Sequence, residues 1–397
     1  MRRNICMLAY TNYTFDARVR REAETLASEG DRNVLFLTLM EGQTPREYRQ
    51  NGVTIRELNI SKYEGDSIFK YLLAYCHFAI RAFFRITSLF LRGSIDVLHV
   101  HNMPNFLIFS TIVPFLFGKR IVLDIHDTLI ETYESKFANN HFVGRILYYA
   151  LYLEERISCA VAHKLICVNH TQKDILIGRG IPEEKILVLL NVPDPKIFKP
   201  DSRTNSRNGG NNSFNMVYHG TVAARLGVDL AIEAVAALKD HIPGLNFLIL
   251  GDGERKQDLI RFAEEKEVTD VVQFLPLIPL KRMVEILSDK DLEVISNRKN
   301  TATELMLPVK LLECVALGIP AVVPRLRTIE RYFSDDMVFY FDPEDRDSLV
   351  ETIKDAYSNP DRRERTAENA KRFLDRYGWD THKLDLINLY NHLENRR

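Results

Sequence analysis

Two short stretches of the chain hold side chains suited to gripping a diphosphate. In residues 216–229, Gly220 permits a tight turn or a close backbone approach. Arg225 can fork onto phosphate oxygens. A helix beginning near Gly227 adds free N–H groups and the positive end of its dipole. The plainer reading is a strand, a turn and a helix with a solvated arginine. In residues 307–320, Pro308 suits the first turn of a helix and Gly318 its stop. Glu313 is then the one acid in a helix of Leu, Cys, Val and Ala. A buried carboxylate needs a partner. Lys310, one turn back, offers one. Alternatively Glu313 accepts from vicinal hydroxyls, such as those of a ribose, while Lys310 faces phosphate.

A second group of reactive types lies in the first half. His126 closes the run Leu123-Asp124-Ile125-His126-Asp127, and His99 and His101 close another. Asp16 and Arg18 follow the first apolar run, where a helix N-cap and a surface arginine are the ordinary alternative. Asp124, Asp127 and the three histidines include metal-ligand types. Arg225 and a helix dipole can neutralise a diphosphate without a metal, so none is expected, nor any cofactor.

These residues need strand ends to hold them. Short β-rich runs alternate with helical stretches, with strands expected near 5–9, 34–39, 53–58, 97–100, 121–124, 165–168 and 186–190. A second series follows near 215–219, 247–251, 271–274, 292–295, 321–323 and 338–341. Such alternation implies an α/β fold with parallel sheets covered on both faces. Ligands then bind at the carboxyl ends of strands, which is where the polar clusters fall. The two series are parted by 199–213, a Ser/Asn/Gly/Arg-rich run that cannot bury a core. The expected domains are therefore 1–198 and 214–379, joined by that linker, with a C-terminal helix at about 380–397 returning to the first.

Bulk properties exclude several classes. A length of 397 residues suits two domains. With 53 Lys+Arg against 54 Asp+Glu, a dedicated nucleic-acid binder is not expected. The five cysteines lack the short spacings of zinc or redox motifs, and they read as reduced buried thiols of a cytoplasmic protein. The N-terminal apolar run is short and reads as a first strand, not a signal peptide. No Gly-rich dinucleotide fingerprint follows it, where Ala9-Tyr10-Thr11-Asn12 stands.

Taken in order, the motifs resemble those of the family-4 retaining glycosyltransferases (glycosyl transferases group 1). Residues 16–23, 96–102 and 122–127 resemble that family's first loop and acceptor-side strand ends. Gly220 to Gly227 resembles its phosphate loop, 251–254 its next strand end, and Lys310 with Glu313 its signature helix. The resemblance implies a GT-B fold, two facing Rossmann-like domains with an interdomain cleft. It implies a nucleoside-diphosphate sugar as donor and a glycan or lipid-linked acceptor, as in cell-surface polysaccharide or glycolipid synthesis. It places His126, Arg225 and Glu304 at the reacting centre. Gly220, Thr221, Arg225, Lys310 and Glu313 would hold the donor, and Asp16, Arg18 and His101 would border the acceptor. Two departures stand out. Many relatives carry a second glutamate eight positions before Glu313, where this chain has Leu305, with Glu304 one residue away. Many also carry a basic residue where Thr221 stands. A nucleotide-sugar epimerase of the same fold, or a non-catalytic sugar-nucleotide binder, are the alternatives.

Residues 67–93 are strongly apolar but carry Lys70, His77, Arg81, Arg85 and Arg92 along one helical stripe. Charges in mid-span argue against a transmembrane helix. Either the helix is a buried core element with a wet stripe, or it meets an anionic membrane surface, with the protein peripheral on the inner face of the plasma membrane.

Overall fold

The computed structural model describes residues 2–63, 65, 67–137, 143–199 and 213–395. Almost all of the expected linker lies outside the described residues. By contacts the chain divides into one unit of Met1–Asn191 with Asp380–Arg397, and a second of Val192–Trp379. The division falls ahead of the low-complexity run.

The first unit is built on eight strands. They are β1 (Arg3–Leu8), β2 (Arg32–Thr38), β3 (Glu47–Gln50), β4 (Val53–Glu57), β5 (Val97–His101), β6 (Arg120–Ile125), β7 (Lys164–Cys167) and β8 (Ile186–Val188). Their order is β3-β4-β2-β1-β5-β6-β7-β8. All neighbours are parallel except β3 and β4. β3, with the sequence Glu-Tyr-Arg-Gln, carries no apolar run for a sequence reading to find, and it sits at the sheet edge. Every residue of β5 is buried, both histidines included. The last helix, Trp379–Asn395, ties back to β2 through Arg32, whose guanidinium donates to Glu394 (3.1 Å) and Asn391 (2.6 Å).

The second unit has six strands: β9 (Phe214–His219), β10 (Leu245–Leu250), β11 (Val272–Leu275), β12 (Leu292–Val294), β13 (Ala321–Pro324) and β14 (Phe339–Phe341). Their order is β11-β10-β9-β12-β13-β14, all parallel. The core packs Met216, Tyr218, Phe247 and Ile249 against the helix Val228–Leu238.

Each sheet reverses its winding once. In the first, the chain moves outward from β1 to β2 and β4, then returns to β5 on the other side of β1. In the second, it moves from β9 to β10 and β11, then returns to β12. A crevice opens at the carboxyl ends of strands that flank such a reversal. That singles out the ends of β1 and β5 in one unit, and of β9 and β12 in the other.

Candidate active site

In the second unit, β9 ends on His219, which is 2% exposed. Its Nδ1 lies 3.1 Å from both oxygens of Glu293 on β12, and its Nε2 lies 2.8 Å from Glu313 Oε2. Both ring nitrogens face carboxylates, so both donate and the ring is an imidazolium. Burial by itself would push its pKa down. The charge of Glu293, its hydrogen bonds and Glu313 outweigh that and hold it at about 9. Glu313 is therefore aimed by a histidine on a neighbouring strand, not by Lys310 one turn back.

Lys310 is freed for another task. Its ammonium lies 3.5 Å from the centre of the Tyr218 ring, a cation–π contact. Nζ is buried, and among the described residues nothing accepts a hydrogen bond from it. Burial, only partly countered by Glu293 and Glu313, lowers its pKa to about 8. A Cβ built on Gly220 would stand 3.6 Å from Nζ, so the ammonium is beside the turn that leaves β9. Gly220 has φ +110°, which favours glycine.

The turn is clamped from the side. Gly220 N–H donates to Leu250 O and Val222 N–H to Asp252 O, both at 2.9 Å. A Cβ on Gly251 would lie 1.8 Å from Gly220 O, and one on Gly253 2.1 Å from Val222 O. Two glycines in Gly251-Asp252-Gly253-Glu254 are thus there so that two backbones can touch. The Tyr218 hydroxyl donates to Thr221 O (2.5 Å), and Thr221 itself is exposed. Arg225 is exposed in the 3-10 turn Ala224–Leu226 and, among the described residues, forms no ion pair. The helix Val228–Leu238 follows, with no side chain capping its N-terminus.

Glu304 has a different setting. Oε2 accepts from Arg327 N–H (2.7 Å), at the start of the helix Arg327–Tyr332, and Oε1 is 3.4 Å from Lys299 Nζ. This carboxylate caps a helix, and a catalytic task would have to share it with that bond.

In the first unit, a pocket of about 200 Å³ opens at the ends of β1 and β5, lined by Thr11, Asp16, His101, Asn102 and His126 among others. Asp124 Oδ2 receives both His126 Nε2 (2.7 Å) and His101 Nδ1 (3.0 Å). Each ring thus turns a protonated nitrogen toward Asp124, which leaves His126 Nδ1 as an acceptor. Asn102 Oδ1 accepts from His126 N–H (2.7 Å), and Asn102 Nδ2 donates to Asp127 O (2.8 Å), which fixes the strand end. Asp16 caps the helix Ala17–Ser28 through Val19 N–H and also faces the pocket.

Arg18 is a correction to its expected place beside an acceptor. It is 4% exposed, and its guanidinium is spent on Asp124 (2.8 Å), Glu22 (3.2 Å) and Leu189 O (3.0 Å). It stands behind the pocket and fixes Asp124, which in turn holds both histidines. Burial opposes the charge of Asp124, but Arg18 and His126 prevail and hold its pKa well below the usual carboxylate range. His99 lies deeper still, its Nδ1 2.7 Å from the Tyr390 hydroxyl of the last helix.

Glu293 is the site residue that sequence reasoning missed. Its signal was a lone acid inside Leu292-Glu293-Val294, a polar type at a strand position that should be buried. Asn102 was passed over for the same reason, as a neighbour of more conspicuous histidines.

Comparison with known proteins agrees with this arrangement. One family model, described as Glycosyltransferase Family 4, matches residues 17–196, and a second, described as Glycosyl transferases group 1, matches residues 202–373. The chain is 26% identical over 204 residues to a phosphatidylinositol N-acetylglucosaminyltransferase of Arabidopsis thaliana. That match takes in 51% of this chain and 43% of the relative, so the chain spans less than half of the relative's length. Among solved structures, sucrose-phosphate synthase from Thermosynechococcus elongatus superposes with a TM-score of 0.77 at 14% identity, covering 99% of each chain. The Anabaena protein HepE in complex with UDP superposes at 0.70 and 14% identity, covering 98% of this chain and 100% of that one. At such identities these likenesses speak to the fold, which is GT-B. With the two family models taking in nearly all of both sheets, the chain belongs to the glycosyl transferases group 1 family.

Proposed function

We propose that the chain is a retaining, metal-independent glycosyltransferase. It would move a sugar from a nucleoside-diphosphate sugar to a glycan or lipid-linked acceptor in cell-surface polysaccharide or glycolipid synthesis, on the cytoplasmic side of the membrane. The observation that carries this reading is the uncompensated charge around Tyr218. Lys310 is buried with no acceptor among the described residues, and Arg225 has no ion pair among them. An anion at the end of β9 satisfies both, and the uncapped helix N-terminus after Gly227 adds to the same field.

Each group then has a task. When the bond from the anomeric carbon to the diphosphate breaks, negative charge grows on the leaving oxygen, and Arg225 and Lys310 meet it. Fixed cations do there what a metal does elsewhere. Glu313, steered by His219 through Oε2, keeps Oε1 for the ribose hydroxyls. The acceptor oxygen attacks the face from which the diphosphate departs, and its proton passes to a phosphate oxygen. The configuration is kept without a protein nucleophile. His126, its Nε2 committed to Asp124, is assigned to the reacting sugar. The neighbour solved with UDP supports a nucleoside diphosphate as the leaving half.

Thermal denaturation with UDP, GDP and ADP tests the reading. A ligand present at about a hundred times its Kd adds about 2.7 kcal/mol. At least one should raise the melting point of the wild type, and Arg225→Ala and Lys310→Ala should each abolish most of that rise. No response to any of the three would sink the donor site. Turnover of the donor to its epimer without an acceptor would favour an epimerase instead.

A further inference from the structure

The helix Ile68–Leu91 does not behave as a core helix. Of its length, Phe78, Ala82, Ile86 and Leu89 are buried against the first unit. A second stripe, Phe69, Leu73, Ile80, Phe84 and Leu91, is exposed, at 52% to 75%. The spacing of 4, 7, 4 and 7 puts these five on one line of the helix. Lys70, Arg81, Arg85 and Arg92 each follow a member of that line by one residue, so a basic stripe separates the exposed apolar line from the buried face. The apolar line continues past the helix end. Phe90 meets Phe117 at 5.4 Å between ring centres, and Leu116 and Phe117 are themselves exposed.

Beside this face lies a second feature. An open cavity of about 510 Å³ is lined by Arg46, Arg56, Arg81 and Arg85, with Glu47, Glu57 and Phe84. Arg46 is paired with Glu57 and Arg56 with Glu47, both at 2.6 Å. Arg81 and Arg85 have no carboxylate at ion-pair distance among the described residues. Arg81 Nε meets only His77 (3.3 Å), and Arg85 Nε is buried without an acceptor. Burial and then the charge of Arg56 lower the pKa of Arg85, so its charge is held at a cost that an anion would relieve. Phe84 belongs both to the exposed apolar line and to the cavity wall.

We propose that this surface docks the protein on an anionic phospholipid bilayer. The apolar line of residues 69–91 with Phe117 enters the acyl boundary, and Arg81 and Arg85 take a lipid headgroup phosphate in the cavity. A bilayer fits better than a soluble phosphate because the unpaired guanidiniums open at the edge of an exposed apolar stripe, which no soluble anion would cover. Juxtaposed apolar and basic rows on one helix are what an interfacial helix requires. The inference does not depend on the chemistry at His219 and Lys310.

Flotation of the full chain with vesicles tests it. At low salt the wild type should rise with phosphatidylcholine vesicles containing phosphatidylglycerol, and not with phosphatidylcholine alone. Arg81→Glu with Arg85→Glu should weaken the anionic association by at least about tenfold. Phe84→Ser with Leu91→Ser should do likewise. Reversing Arg145 and Arg156, exposed on the helix Val143–Val161, should leave it within about twofold. All three pairs are checked for an unchanged melting point. Equal loss from the Arg145 and Arg156 reversal would overturn the headgroup assignment. So would saturable binding of glycerol phosphate without flotation. Self-association abolished by Phe84→Ser, again without flotation, would overturn the membrane reading and make the surface an interface between copies of the chain.

Discussion

The two units bury the same kinds of side chain and reach opposite charge states. In the second, one histidine sits between two glutamates and carries the charge that answers them itself. In the first, Arg18 supplies the charge for Asp124, and the histidines around them are relieved of it. Burial, and then the neighbouring His101, push His99 well below its usual value. Burial likewise lowers His101, against the pull of Asp124, and it takes His382 down to about 4 with help from Arg18. A histidine's protonation is thus decided by whether an arginine has reached the carboxylate first. The consequence is functional as well. A fixed imidazolium aims Glu313, whereas a neutral ring is what His126 needs beside it if Asp124 is to hold both.

The comparison breaks most severely if Arg18 is removed. Arg18→Met leaves Asp124 buried and unpaired, which costs about 3–5 kcal/mol. The loss should appear in the urea unfolding of the first unit and not in that of the second. A loss below about 1 kcal/mol would mean that the histidines can take up the charge, and the contrast between the units would fail.

A pH series sharpens the contrast. His219 is raised from 6.5 to about 9, so its contribution is fully present below about pH 6.5 and is lost as pH rises toward 9. The whole of it is on the order of 3 kcal/mol. Lys310, lowered from 10.5 to about 8, works the other way and restores stability above pH 8. The second unit should therefore weaken between about pH 6.5 and 8, by about 2 kcal/mol. His382, lowered from 6.5 to about 4, contributes stability above pH 6.5 that is lost down to pH 4, again about 3 kcal/mol. His99 and His101 add to that trend, and Glu22, raised by burial and then by Asp124, opposes it. The first unit should then weaken in acid while the second weakens in mild base. Urea unfolding followed by proteolytic peptide mapping resolves the two. Parallel pH profiles for both units would refute the assignment of charge.

The succession of strands along the chain was legible because fully buried parallel strands read as uninterrupted apolar runs. The exception, β3, is short, polar and at an edge, where pairing alone makes the strand. Site residues were legible where backbone conformation demands a type, as at Gly220 and Gly318, both at positive φ. Partners were not. Lys310 and Glu313 share a helix turn, and local spacing suggests an ion pair. In the fold Glu313 turns to a histidine 94 residues away and Lys310 to an aromatic face. Similarly Arg18 looks like a surface residue of an amphipathic helix until β6 brings Asp124 under it. Long-range pairing between strand ends is set by sheet order, which periodicity does not carry.

The smallest effect expected separates two glutamates of the second unit that local sequence treats alike. Glu293→Gln keeps the shape but removes the charge that chiefly raises His219. The ring should then titrate nearer its ordinary range, and Glu313 should lose part of its orientation. Nucleotide affinity should fall by about tenfold, near 1.4 kcal/mol, although Glu293 is fully buried and is assigned no contact with the donor. Glu304→Gln replaces a helix cap and should cost about 0.5–1 kcal/mol of stability with nucleotide affinity unchanged. Calorimetric titration with UDP, beside an NMR titration of the His219 ring, measures both. If Glu293→Gln shifts the ring but leaves affinity intact, His219 is a structural clamp and does not aim Glu313 at the donor. If Glu304→Gln abolishes sugar transfer while its melting point stays near the wild type, the capping carboxylate also serves the sugar. The two glutamates would then divide as the departure at Leu305 first suggested.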